Sequence, residues 1–399
     1  MLQFPGSAVA EASTEAANLC VPVPRTDFVS VLTTPVRGTL LLLLLLRTNI
    51  AAMNRRFVLC LPVALSLLLL AADQPKIPAM PAAVTSNAVA SLRGGIEIYS
   101  IMGLGTKKTW DDVSNKMYEL ALRSGRWIEA RPVPGVAGRL GASAIGVKSQ
   151  IYLFGGYTID GQETETVLGD VNSYIPQDHR WYRAQDIPIP VDSAVIGMTH
   201  DRYVYLVGGR SRSGPVNNVQ VYDVEKNTWS QGTAFPGAPV FGHAGGIADD
   251  VIVYVDGAKK DASAGKYVAS DECWMGKIDH KDPNKIEWSK LPAHPGPGRF
   301  GIVAGAGEHD HRFLFSGGTT TPHNYKGLDS EGKPAELSPI TFAFELHGNR
   351  WETVTDDTYD VRADSRGILF TPLGPLVLGG TLKNSAVSAR VLVLAKKQQ

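Results

Sequence analysis

Cysteine is scarce in this 399-residue chain: of three thiols, Cys20 and Cys60 lie in the first 72 residues and Cys273 stands alone in the remainder. One thiol makes neither an intramolecular disulfide nor a CxxC metal site, so stability has to come from a packed core. An excess of either charge is missing too. Lysine plus arginine and aspartate plus glutamate number 39 each, which removes the basic field that drives nonspecific nucleic acid binding, and no polybasic arm replaces it. Nucleic acid is therefore not an expected partner. HExxH, GxSxG, the P-loop and a GxGxxG between strand and helix are all absent, so metalloprotease, esterase, NTPase and dinucleotide readings have no support. Helix caps followed by a 3.6-residue apolar period are missing as well.

Turn formers are plentiful. Glycine (41) and proline (25) make up about a sixth of the chain, below the level of low-complexity disorder, and imply many short elements. The first 72 residues read as leader. Residues 1–52 have no amphipathic period, and their bare run Leu40–Leu46 is too short to span a bilayer. From Met53 the pattern becomes a secretory signal: Arg55 and Arg56, then apolar Phe57 to Leu70, then Ala71 and Ala72. Residues 1–52 accordingly read as an upstream extension or mis-called start, 53–72 as the signal peptide, and the mature protein as periplasmic or secreted, with no stable membrane span once the signal is removed. A short membrane anchor is the alternative, opposed by Pro62 in the apolar run and the lack of a basic flank after Ala72.

Residues 73–399 repeat. A strand ending in glycine recurs six times, as IYSIMG, IYLFGG, VYLVGG, VIVYVDG, RFLFSGG and PLVLGG, at Gly103, Gly156, Gly209, Gly257, Gly318 and Gly380. Tryptophans follow in phase at Trp127, Trp181, Trp229, Trp288 and Trp351, each 28–30 residues before the next glycine marker. Repeats of about 50 residues with this plan predict a propeller. No sixth tryptophan follows Gly380, and counting back from Gly103 reaches Gln74, where QPKIPAMP reads like the SKLPAHPG after Trp288. The predicted fold is all-β, a six-bladed β-propeller whose last blade is closed by an N-terminal strand, which removes the edge of an open ring.

The glycine-ending strand, the Tyr222-Asp223 third strand and the turn-plus-tryptophan fourth strand resemble kelch repeats across 73–399. Among kelch proteins, the leader, the six blades, the Gly-Leu-Gly of Gly103–Gly105 and the Asp256-Gly257 pair look most like bacterial N-acetylneuraminate epimerases (sialic acid mutarotases). The resemblance implies a small-molecule sugar or glycan in the central funnel, mutarotation as the activity, and no cofactor. It also implies a catalytic glutamate just after the fourth-blade glycine and an arginine further along. Here Ala258 stands at that place and no arginine follows before Trp274. Asp256, Asp271 and Glu272 flank the gap and are the weak candidates for catalytic groups. A galactose-oxidase-like copper site is rejected, since no Tyr-His dipeptide occurs and Cys273 stands beside Trp274 with no such motif around it.

Long insertions fall between second and third strands, at 157–170, 210–218, 258–272, 319–340 and 381–388, and so share one face. Near the start of each inner strand stands one polar residue: Asn87, Arg139, Asp192, His243, Arg299 and Arg366, with Arg362 the alternative in its blade. Six such groups are expected to ring the funnel mouth, where guanidiniums suit a carboxylate-bearing sugar. The competing reading is structural bonding at the same positions. Asn324 and Tyr325 in the longest insertion are further sugar-binding candidates. Glu308-His309-Asp310-His311 reads as a solvated turn, the tryptophans as core anchors, and no metal site is expected. A non-catalytic module that docks another exported protein or a polymer is the second functional reading.

Overall fold

The second and third strands are near-continuous apolar runs, such as Val251–Val255, every residue of which is buried. Such runs form where a sheet is covered on both faces. The fourth strands alternate instead: Arg126–Ala130, Arg180–Ala184 and Thr228–Gly232 each expose the residues flanking a half-buried tryptophan. Burial therefore peaks in the second and third strands and falls off at the outer fourth strand, while inner strands such as Val303–Gly307 are partly exposed to the central channel. The computed structural model describes residues 77–394 apart from 264, 308–310, 356–357 and 359. The expected extension and signal of residues 1–72, the start of the expected N-terminal strand and most of the Glu308–His311 turn lie outside the described residues.

Six antiparallel meanders result. Blade 1 comprises Ala88–Leu92, Glu97–Leu104, Val113–Ala121 and Arg126–Ala130. Blades 2, 3, 4 and 5 repeat the order from inner strands Ser143–Val147, Val195–Thr199, Ala244–Ala248 and Val303–Gly307. Among the described residues blade 6 has three strands, Ile368–Thr371, Gly374–Leu378 and Val391–Val393. Inner strands are poor in large side chains because they crowd the axis: a Cβ on Gly146 would lie 2.0 Å from the Ser91 carbonyl of the neighbouring blade.

The double glycine is an inter-blade fastener. Each second glycine has φ between 80° and 111°, and its N–H donates to a carbonyl of the next blade: Gly103 to Arg139, Gly156 to Val191, Gly209 to Val240, Gly257 to Arg299, Gly318 to Arg362 and Gly380 to Val84, at 2.8–3.2 Å. A β-carbon on Gly156 would sit 2.8 Å from the Leu140 carbonyl. Left-handed backbone and close approach together select glycine.

The tryptophans form a second set of fasteners. Indole Nε1 of Trp181, Trp229, Trp288 and Trp351 donates to the carbonyls of Arg131, Gln185, Thr233 and Pro292, each just beyond the preceding blade's fourth strand or at its end. Trp127 donates at 3.0 Å to Pro78, so the N-terminal segment takes in blade 6 the place those segments take elsewhere. Met80 N–H to Ala389 O (2.7 Å) and Gly380 N–H to Val84 O (2.8 Å) complete the closure, and Ile77, Met80 and Val84 pack with Leu376 and Leu378.

Candidate functional site

Where the chain enters each inner strand, one left-handed residue per blade bonds to its counterpart in the neighbouring blade. The N–H of Ser86 donates to Asp364, Asp364 to Gly301, Gly301 to Gly242, Gly242 to Ser193, Ser193 to Gly141 and Gly141 to Ser86, at 2.8–3.3 Å, with φ of 53–65° throughout. Six main-chain bonds thus close an annulus around the axis on the face that carries the long loops.

Measured against that annulus, the six polar candidates occupy four levels and form no single ring. Arg139 and Arg299 lie two residues before their annulus residue, as does Arg362 before Asp364, and all three point into their blades. Their guanidiniums donate to the first carbonyl of the double glycine: Arg139 to Gly155 (3.1 Å), Arg299 to Gly317 (2.9 Å) and Arg362 to Gly379 (2.8 Å). Asp170 also takes Arg139, and Ser338 and Ile340 also take Arg299. His243 Nε2 does the equivalent to Val207 O at 2.9 Å, and Asn87 donates to Ser100 Oγ. These are blade fasteners.

Arg366 and Asp192 face the axis. The Arg366 guanidinium spans from blade 6 to the opposite blade 3, donating to Ser193 Oγ at 2.6 Å, and its Nε is buried without a partner. It floors a central channel of about 510 Å³ whose walls mix small apolar side chains, including Val89, Ala144, Ile196, Ile247 and Ala304, with polar surface such as Ser91 and Ser143, and whose far rim carries Arg93, Lys148 and Asp201. Asp192 holds Arg210 Nε at 2.8 Å, Glu165 holds the other side of that guanidinium, and Arg210 lies over the Tyr157 ring. Burial raises the Asp192 carboxyl above its ordinary value.

The three carboxylates flanking Ala258 do not form an acid–base pair. Asp256 is buried between His294 Nε2 (2.8 Å) and the Arg299 N–H (3.0 Å). Glu272 accepts from Trp274 Nε1 at 2.9 Å, and Asp271 is exposed. Ala258 itself is fully buried against Phe241 and Phe300, so aromatic rings fill the space where the resemblance places a glutamate.

The insertion 319–340 of blade 5 crosses the axis and covers the mouth. His323 meets Phe300 edge-on and lies 3.3 Å from Asp364 Oδ2. Tyr325 packs with Leu140 and Tyr157 of blade 2 and Leu104 of blade 1. Lys326 pairs with Glu163 at 2.6 Å, its carbonyl takes Lys108 Nζ, and Gly327 O accepts from Ser385. Asn324 Oδ1 is used within the loop, by the Lys326 and Leu328 amides. Burial lowers His323 and Lys108 from their ordinary values. Sequence reading missed Lys108, Glu165, Arg210 and Asp364 as members of this layer, because three sit in insertions of unequal length and the fourth in the crossover into blade 6. A separate cluster, His200, Asp250 and His280, gathers on the opposite face.

A ring of blades fastened by double glycines and tryptophans, capped on its loop face by a charged and aromatic layer, defines a kelch-type β-propeller. Residues 88–325 match the KLHDC2/KLHL20/DRC7 Kelch-repeats domain, and the chain belongs to that kelch-repeat family. N-acetylneuraminate epimerase 1 of Escherichia coli O6:H1 is 24% identical over 361 residues, 77% of this chain and 88% of that protein. Kelch-like protein 15 of Gallus gallus is 26% identical over 122 residues, and Kelch-like protein 36 of Bos taurus 32% over 120. The chain spans only 24% and 19% of those two proteins' lengths. The solved structure described as "Structure of YjhT" superposes with a TM-score of 0.63 at 19% identity, covering 79% of this chain and 95% of that one, a likeness of fold. No helix among the described residues is long and apolar enough to cross a membrane.

Proposed function

We propose that the protein is exported through its leader and binds an acidic sugar on the loop face, beneath the insertion 319–340, exchanging its anomers there. The observation that carries this reading is the layer above the annulus, where Arg366 with a free buried Nε and Arg210 lie among Asp192, Glu165, His323 and Asp364. Support also comes from the low-identity relationship to N-acetylneuraminate epimerase 1. Guanidiniums recognise a carboxylate through paired hydrogen bonds, and the half-buried Tyr325 offers a ring to a pyranose. Ring opening requires a base at the anomeric hydroxyl and an acid at the ring oxygen. His323, held neutral by burial, supplies the base. Lys108, made more acidic by burial, supplies the acid.

Proton NMR of N-acetylneuraminate anomer exchange, at a pH where the spontaneous reaction is slow, tests the reading. Acceleration that disappears in His323→Ala, together with binding weakened at least tenfold in Arg366→Ala, is expected. Unchanged binding in both Arg366→Ala and Arg210→Ala excludes the site.

A non-catalytic docking module is the second reading, favoured by Trp110 and Tyr267, which stand 48% and 40% exposed on the same face. An exported protein retained by the unaltered chain but not by Trp110→Ala would support it, and equal retention by both would remove it.

A further inference from the structure

The hairpins between first and second strands form the face opposite the long loops. Two of them and a neighbouring turn bring together groups that the sugar-binding reading does not use. His200 lies at the tip of the blade 3 hairpin and Asp250 at the tip of the blade 4 hairpin; both are left-handed, at φ 54° and 57°. His280 lies in the turn between the third and fourth strands of blade 4. His200 Nε2 stands 3.4 Å from Asp250 Oδ2, and His280 Nδ1 stands 2.8 Å from the same oxygen. All three ligand atoms lie within 4.8 Å of one another.

We propose that His200, Asp250 and His280 bind a divalent transition-metal ion, zinc in the first instance, leaving a fourth position to water. Tetrahedral zinc with bonds of about 2.0–2.2 Å to nitrogen and oxygen places its ligand atoms about 3.4 Å apart. One separation already has that value, and another needs about half an ångström of opening. Two imidazoles and one carboxylate suit zinc among the abundant divalent ions, whereas calcium and magnesium prefer oxygen alone. The two imidazoles are half or more exposed, at 52% and 80% of their side chains, so small rotations complete the geometry and the ion has an open path.

The turn that carries His280 is also held in place. Tyr205 of blade 3 donates its hydroxyl to Pro283 O at 3.0 Å, and the Thr233 N–H donates to Asn284 O at 2.8 Å. Blade 3 thus supplies one ligand and fixes the segment bearing another. Such preorganisation lowers the ordering cost of binding. Next to the site, Asp249 holds His311, whose ring is 4.3 Å from that of His347. Among the described residues this second imidazole–carboxylate group does not bring three ligand atoms together as the first does, and it serves as the internal control.

The test uses the full chain freed of metal by a chelator and titrated with zinc in competition with a chromophoric chelator. One ion binding at micromolar concentration or tighter is expected, with affinity falling at least tenfold in each of His200→Ala, Asp250→Asn and His280→Ala, and unchanged in His347→Ala. Cobalt in place of zinc should give the visible absorption of a tetrahedral site, lost in the same three variants. Equal melting temperatures of all variants without metal show that each is folded. No zinc uptake, uptake indifferent to His200 and His280, or uptake lost in His347→Ala instead would overturn the proposal.

Discussion

His243 is an uncharged imidazole in a place where charge is hard to hold. It is buried among Phe235 and Tyr254, and with Nε2 donating to Val207 it is the Nε2–H tautomer. Burial, with a smaller push from Arg366, lowers its pKa from 6.5 to about 3. The folded value lies below the unfolded one, so the stabilisation is complete above about pH 6.5 and is lost as pH falls towards 3, where unfolding takes up one proton more. Burial lowers His323 in the same direction. Chemical denaturation from pH 7 to pH 4 should show stability falling at a limiting slope of about 1.4 kcal/mol per pH unit for each such group. His243→Gln should flatten the profile by about one proton, and a profile identical to that of the unaltered chain would refute the assignment. Arg299 belongs to the same scale. Its removal orphans the Gly317 and Ile340 carbonyls and the Ser338 hydroxyl, so Arg299→Ala should cost about 2–4 kcal/mol in urea denaturation while leaving sugar affinity in the folded protein intact. The sequence exposes the presence of Arg139, His243 and Arg299 near each inner strand but not their level. Arg366 follows its annulus residue by two positions and His243 by one, and a single residue at that point decides whether a side chain faces the axis or the blade.

At the scale of elements, the six glycine markers and five tryptophans were legible because each performs one repeated task that few residues can do. The glycine must be left-handed and in contact with the next blade, and the indole must reach a carbonyl one blade away. Closure by the N-terminal segment was legible for the same reason, since QPKIPAMP keeps the phase of its counterparts, and Pro78 receives Trp127 as Arg131 receives Trp181. The buried Asp256 was not legible as structural, because its partner His294 stands in the segment after the fourth strand at a position where the matching QPKIPAMP has methionine, Met80. Replacing an indole by phenylalanine removes one hydrogen bond, so Trp127→Phe and Trp229→Phe should each cost about 1 kcal/mol. Equal costs would show that the closing contact is as firm as an internal one. A loss at Trp229 with none at Trp127 would show that blade 6 is loosely held. Gly156→Ala should cost more, about 2 kcal/mol or above, because the left-handed backbone and the contact with Leu140 are both violated.

For the whole molecule, the ring has two unlike ends, and the loop end is shut in this conformation. The insertion 319–340 belongs to blade 5 yet touches blades 1, 2 and 6, so it lies over the axis as a cover. Its extent was plain in the sequence as the longest insertion. Its path was not, since a loop's direction depends on partners such as Glu163 and Ser385 that lie far away in the chain. A sugar that binds above the annulus has to wait for the cover to lift. The Lys326–Glu163 pair is exposed, and such a pair contributes about 1 kcal/mol at most, enough to shift an opening equilibrium about fivefold. Lys326→Glu sets two like charges against each other and should speed amide exchange at Gly327 and Ala335, whose N–H groups bond within the insertion, and raise the sugar association rate by up to that factor. The charge-reversed double variant Lys326→Glu with Glu163→Lys should restore both rates, and added salt should shrink all these differences as it screens the pair. Faster amide exchange with an unchanged association rate would separate the cover from the sugar's route and direct the search for that route to the channel mouth at the opposite end.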